Sequence, residues 1–200
     1  MKVVFLDRDG VINKFPGNGK YVTRVQDFHF LPGSLEAIHR LTEAGYIIFI
    51  ISNQAGVGKG IYSQNKLTRI TRKMFQGVVR AGGHIEKVYY SIRRTGDGCN
   101  FRKPGIGFIY EALSSVKKPL SYAVNTYFVG DTESDVQAGK NAGCKTIFVL
   151  SGREKERHMR KWRVRPDYIV RNLLAATDII LANQTERKQN HTKRARPTKG

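Results

Sequence analysis

Cysteine, acidic residues and long apolar runs are all scarce in this 200-residue chain. Its two cysteines, Cys99 and Cys144, cannot build a disulfide framework, so a reducing, cytoplasmic setting is the expectation. The longest apolar runs, near 46–51 and 146–150, are too short to span a bilayer, and no membrane contact is expected. The first residues lack the charged, apolar and small-residue segments of an export signal, and none is expected. Only 16 Asp and Glu stand against 35 Lys and Arg, a net charge of +19 at pH 7.

Part of that charge lies in the last residues. Arg187, Lys188, Lys193, Arg194, Arg196 and Lys199 occur among Gln, Asn, Thr, Pro and Gly, without apolar periodicity. This composition predicts one domain over 1–182 and a flexible basic tail over 183–200. Without residues 187–200, whose six cations have no acidic counterpart, the chain still carries +13. Such a field attracts phosphorylated metabolites and polyanions such as RNA alike, and an ordinary solvated basic surface explains it equally well.

Apolar, β-rich segments at 2–6, 46–51, 87–91, 126–129, 145–150 and 168–170 alternate with helical patterns. The helical patterns fall at 34–45, 64–81, 107–116, 134–142 and 173–181. Strands apolar on both faces and separated by helices predict an α/β, Rossmann-like doubly wound fold with a mostly parallel sheet. Between Asp9 and the first helix, and between Ser52 and Lys103, these elements use nearly all the residues, so no cap domain is expected.

Four polar clusters stand at or after carboxyl ends of these segments, where open α/β sheets bind ligands. They are Asp7-Arg8-Asp9-Gly10, Ser52-Asn53-Gln54, Arg102-Lys103-Pro104 and the Gly130–Asp135 segment. Converging carboxylates need a cation, and hard oxygen ligands suit Mg²⁺. Lysine and the Ser and Asn donors suit phosphate oxygens. One carboxylate can attack phosphorus, and a second two residues on can act as acid and base. Gly56-Val57-Gly58-Lys59-Gly60 is no P-loop, because Gly60 follows Lys59 where Ser or Thr is required.

With these motifs in this order, residues 1–182 resemble the haloacid dehalogenase (HAD) superfamily. The resemblance implies Asp7 as nucleophile, Asp9 as acid and base, and Ser52 and Lys103 as phosphate ligands. It implies Mg²⁺ held by Asp7, the Asp9 carbonyl and Asp131, supported by Asp135. An aspartate at position 9 favours a phosphatase over a dehalogenase. Asn53–Gly60 and Arg102-Lys103-Pro104 further resemble the capless heptose bisphosphate and histidinol phosphatase group. That resemblance implies D-glycero-D-manno-heptose 1,7-bisphosphate losing its 7-phosphate, with Asn53, Gln54 and Arg102 also at the substrate. Many of that group carry a zinc loop, at whose four ligand positions this chain has Ser91, Arg93, Cys99 and Phe101. One cysteine cannot make a tetrahedral site, so zinc is not expected, and Arg93 and Arg94 are expected at the mouth. A monomer acting on a small phosphorylated substrate is the leading expectation. Histidinol phosphatase, nucleic-acid 3′-phosphatase and non-catalytic RNA-binding readings remain open.

Overall fold

A computed structural model describes residues 1–93 and 99–194, with helical backbone alone beyond residue 184. Six strands form one sheet: β1 (Lys2–Leu6), β2 (Tyr46–Asn53), β3 (Lys87–Ser91), β4 (Tyr127–Gly130), β5 (Lys145–Val149) and β6 (Tyr168–Val170). Their order is β3-β2-β1-β4-β5-β6, and every pairing is parallel. The helices are α1 (Ser34–Glu43), α2 (Ala55–Gly58), α3 (Gln64–Arg80), α4 (Gly107–Ser115), α5 (Glu133–Ala142) and α6 (Leu173–Arg194).

Because side chains alternate along a strand, β1 feeds two cores. Val4 and Leu6 join Ile48, Ile50, Val129 and Val149 with buried residues of α1, α3 and α6. Val3 and Phe5 join Phe49, Ile51 and Phe128 with buried residues of α4 and α5. Phe5 stacks between Phe49 and Phe128, with ring centroids at 6.0 and 6.1 Å. The helical pattern predicted at 64–81 forms α3, whose core face is Leu67, Ile70, Met74 and Val78, all fully buried. Each such side chain contributes about 1.5–3 kcal/mol of burial. Ser63 caps the helix, its hydroxyl accepting from the Lys66 amide at 3.3 Å.

Three features differ from the sequence expectation. β2 runs on through Ser52 and Asn53, which pair with Tyr90 and Ser91 instead of standing beyond the strand. The glycine-rich stretch contains the short helix α2. The last helix continues from Leu181 to Arg194, across the expected boundary at 182. Neither Gly nor Pro interrupts that stretch, and its Ala, Gln, Glu, Arg and Lys are good helix formers. Among the described residues, neither candidate insertion forms a domain of its own.

β1 lies between β2 and β4, so the chain departs from β1 on one side of the sheet and returns on the other. The crevice of a doubly wound sheet opens at this switch point, outside the carboxyl ends of the strands.

Candidate active site

At that point β1 ends at Leu6 and β4 at Gly130, and Asp7 and Asp131 follow them. The Asp7 amide donates to the Val129 carbonyl at 2.9 Å, which ties the two strand ends together. Lys103 enters from the loop before α4. Its ammonium lies 2.6 Å from Asp7 Oδ1, 2.5 Å from Asp135 Oδ1 and 2.7 Å from the Ile51 carbonyl. All three are buried. Asn53 fixes the lysine's backbone: its Nδ2 donates to the Lys103 carbonyl and its Oδ1 accepts from the Lys103 amide, both at 3.1 Å.

Asp135 has two jobs. One oxygen faces Lys103, and the other accepts from the Thr132 amide and hydroxyl at 3.0 and 2.6 Å, capping α5. Asp131 is placed by the loop after β5, whose Arg153 amide donates to Asp131 Oδ2 at 2.6 Å. Two glycines allow this approach. A Cβ at Gly152 would lie 2.0 Å from Asp131 Oδ2, and one at Gly10 would lie 2.2 Å from it. Gly10 also has φ +87°, the left-handed region that favours glycine.

Asp9 occupies a separate network. Its carboxylate accepts from Arg8 Nη2 at 2.9 Å, Asn13 Nδ2 at 2.8 Å and Gln54 Nε2 at 2.7 Å. Arg8 is completely buried, its guanidinium 5.6 Å from the centre of the Tyr90 ring. Gln54 accepts in turn from the Tyr62 hydroxyl at 2.6 Å and donates to Ser52 Oγ at 3.2 Å. Gln54, expected at the substrate, therefore stands behind Asp9 and Ser52.

A cleft of about 200 Å³ is lined by Asp7, Asp9, Ser52, Asn53, Arg102, Lys103, Asp131 and Asp135. The structure thus brings together every predicted site residue except Gln54 along one cavity. At the loop positions compared with zinc ligands, Ser91 is buried at the end of β3 and Cys99 is partly buried. Phe101 packs on Phe108 at 5.1 Å between ring centroids, and Arg102 Nη1 donates to the Arg93 carbonyl at 3.1 Å. Arg94, expected at the mouth, lies outside the described residues.

Electrostatics favour a cation here. Burial, then repulsion from Asp135 and Asp9, outweighs Lys103 and raises the Asp7 carboxyl to about 6. Burial followed by Asp135 and Asp7 raises Asp131 well above the ordinary carboxylate range. Burial would neutralise Lys103, but Asp135 and Asp7 hold it protonated. Ligand oxygens of Asp7, Asp131 and Asp135 lie within 4.8 Å of one another. An all-oxygen, carboxylate-rich donor set of this kind fits Mg²⁺.

Sequence reasoning assigned no role to Arg8, Asn13, Tyr62 or Arg153. Arg8 is quoted within the first motif, and Gly152-Arg153 follows β5 as the other clusters follow their strands. The carboxyl-end rule, applied to a fifth strand, finds them.

Comparison with known proteins agrees with this architecture. A family model described as HAD-hydrolase-like matches residues 100–176. The D-glycero-beta-D-manno-heptose-1,7-bisphosphate 7-phosphatase of Neisseria meningitidis is 35% identical over 156 residues, covering 78% of this chain and 81% of the relative. The alpha-anomer enzyme of Campylobacter jejuni is 33% identical over 155 residues, covering 78% of this chain and 86% of its own. The crystal structure of the heptose bisphosphate phosphatase from B. bronchiseptica, complexed with magnesium and phosphate, superposes with a TM-score of 0.83 at 29% identity. It covers 92% of this chain and 99% of its own. With motifs, topology and identity in agreement over most of its length, this chain belongs to the family of those phosphatases, within the HAD-like hydrolases.

Proposed function

We propose that the chain is a Mg²⁺-dependent phosphatase that removes the 7-phosphate of D-glycero-D-manno-heptose 1,7-bisphosphate through an aspartyl-phosphate on Asp7. One observation carries the reading: Asp7, Asp131 and Asp135 converge at the switch point of the sheet, with the Lys103 ammonium on Asp7 and Asp135. Substrate identity rests on the relatives, which are named for this sugar.

Asp7, the Asp9 carbonyl and Asp131 would hold Mg²⁺. When bound, the ion neutralises charge on the transferring phosphoryl group and screens the crowded carboxylates. Lys103 orients Asp7 by engaging Oδ1, while Oδ2 has no hydrogen-bond partner among the described residues. That oxygen attacks phosphorus, the bond to the sugar oxygen breaks, and Asp9 gives the departing oxygen its proton. Asp9 then takes a proton from water, whose oxygen attacks the same phosphorus. Phosphate leaves and Asp7 is regenerated. Ser52 and Lys103 contact the phosphoryl oxygens, with Arg102 beside them. Gln54 and Arg8 hold the Asp9 carboxyl in place. Asn53 acts through the Lys103 backbone. The same reading takes the protein as a cytoplasmic monomer whose basic residues 183–200 make salt-dependent contact with polyanions.

The test is phosphate release with Mg²⁺ and with EDTA from heptose bisphosphate, histidinol phosphate and a 3′-phosphorylated oligonucleotide. Mg²⁺-dependent turnover of the heptose bisphosphate above the others, abolished in Asp7→Asn, is expected. Preferential turnover of another substrate would replace the assignment.

A further inference from the structure

We propose that the exposed side of α3 and its groove with β3 bind single-stranded nucleic acid, with phosphates on a row of cations and bases in the groove. This surface shares no lining residue with the catalytic cleft and does not depend on the phosphatase reading.

Between Glu43 and Glu86 the sequence has no acidic residue. Within that stretch α3 carries Lys66, Arg69, Arg72, Lys73 and Arg80, none of which makes an ion pair among the described residues. At helical spacing Lys66, Arg69, Lys73 and Arg80 fall along one side, in a row about 20 Å long. Arg69 has Lys66, Arg72 and Lys73 three or four residues away, so like charges repel along the helix. Lys66 also stands in the first turn, where the helix dipole disfavours a cation. A face that served only solubility would interleave acids and relieve both effects. Here the repulsion is kept, and a strand of phosphates relieves it.

Beside this row α3 and β3 enclose an open groove of about 530 Å³, bordered by Thr68, Arg72, Phe75, Lys87, Val88 and Tyr90. Phe75 and Tyr90 are half-buried, so each ring keeps part of its surface in water. Tyr90 is fixed in advance: its hydroxyl lies 2.8 Å from Thr71 Oγ1, and the Arg8 guanidinium lies 5.6 Å from its ring centre. Rings flanked by Arg72 and Lys87 suit stacked bases joined by phosphates. β3 is an outermost strand that pairs only with β2, so one edge of its backbone has no partner strand and can meet base edges.

Other occupants fit less well. Leu67, Ile70, Met74 and Val78 are committed to the core, which leaves α3 no apolar stripe to insert into a lipid surface. A second copy of the chain, or its own basic end, carries the same sign of charge and is repelled. An acidic peptide matches the charge but offers the two rings no planar partners.

The experiment follows binding of the full chain to labelled oligouridylate, oligothymidylate, duplex RNA of equal length and polyglutamate, by fluorescence anisotropy across a salt series. The variants are Lys66→Gln/Arg69→Gln/Arg72→Gln, Phe75→Leu and a control triple, Arg157→Gln/Arg160→Gln/Lys161→Gln, which removes the same charge from exposed residues elsewhere. Single strands are expected to bind more tightly than duplex or polyglutamate. The α3 triple should weaken them about tenfold or more and flatten the slope of log affinity against log salt by about 2, with a smaller effect from the control triple. Phe75→Leu should lose about fivefold on single strands and nothing on polyglutamate, which also reports an intact fold. Phosphate release by the α3 variants should stay that of wild type, so that failure of either reading shows separately. Equal losses in the two triples, or tighter binding of duplex or polyglutamate, would overturn the proposal. So would a Phe75→Leu protein that binds oligouridylate and oligothymidylate as wild type does.

Discussion

The Lys103 ammonium lies 2.6 Å from Asp7 Oδ1 at the floor of the cleft, with both side chains almost withdrawn from water. Because the same ammonium is 2.5 Å from Asp135, it compensates two buried carboxylates at once. Lys103→Met keeps the length and removes the charge, leaving both uncompensated. A destabilisation of about 3–5 kcal/mol in urea unfolding is expected, together with loss of activity. Asp7→Asn should behave oppositely, since burial already disfavours the Asp7 charge and Lys103 keeps Asp135. In EDTA it should be at least as stable as wild type while inactive. Equal destabilisation of the two variants would refute this account of the pair.

Gln54 tests whether the residue behind Asp9 serves the chemistry. Its amide bridges Asp9 Oδ2 at 2.7 Å and the Tyr62 hydroxyl at 2.6 Å. Gln54→Leu removes the bridge and strands a buried hydroxyl, costing about 1–3 kcal/mol of stability. Adding Tyr62→Phe should recover much of that stability by removing the stranded group. It should not recover kcat, expected to fall on the order of tenfold with a smaller change in KM. Steady-state kinetics and denaturation of both variants separate the two effects, and parallel recovery of kcat and stability would contradict the positioning role.

Much of the site could be read in the sequence because strands announce themselves. Val3 to Leu6 is a closed apolar run, and the polar residue after such a run on a parallel sheet has nowhere to go but the ligand edge. Asp7 and Asp131 follow from that rule alone. Arg8 does not, because a guanidinium between two aspartates reads as a solvated charge. Its complete burial depends on the ion pair with Asp9 and on Tyr90, which only the fold brings to it. Tyr62 and Asn13 give no signal either, since each reaches the site through a side-chain hydrogen bond with no spacing pattern. The far end of α6 is illegible for another reason: beyond Leu181 the helix has propensity but no apolar stripe, so no periodicity marks it.

Gly152 separates space from chemistry. It has no titratable group, yet a methyl there would lie 2.0 Å from Asp131 Oδ2 and 2.3 Å from Asp131 Cβ. Asp131 must move in Gly152→Ala. The Mg²⁺ concentration for half-maximal activity is expected to rise at least tenfold, roughly 1.4 kcal/mol of lost metal binding, with the circular dichroism spectrum intact. A wild-type Mg²⁺ requirement in a folded Gly152→Ala protein would remove Asp131 from the ligand set.

Asp167 supplies a pH-dependent contribution remote from the cleft. One of its oxygens accepts from Lys140 at 2.6 Å, the other from the Thr146 amide and hydroxyl at 2.7 and 2.9 Å, joining α5 to the approach to β6. Burial pushes its carboxyl up, but these donors outweigh burial and set it below the ordinary 3.8. A carboxyl lowered in the folded state stabilises the fold fully above its unfolded value, and that contribution is lost as pH falls through the folded one. The group is about one-third exposed, so Asp167→Asn is expected to cost only about 1 kcal/mol at pH 7 after solvent screening. The difference between variant and wild type should shrink below pH 4 and vanish once the native carboxyl is protonated. Unfolding midpoints at pH 7, 4 and 3 check this, and a gap that stays constant with pH would mean that the asparagine disturbs packing and not charge.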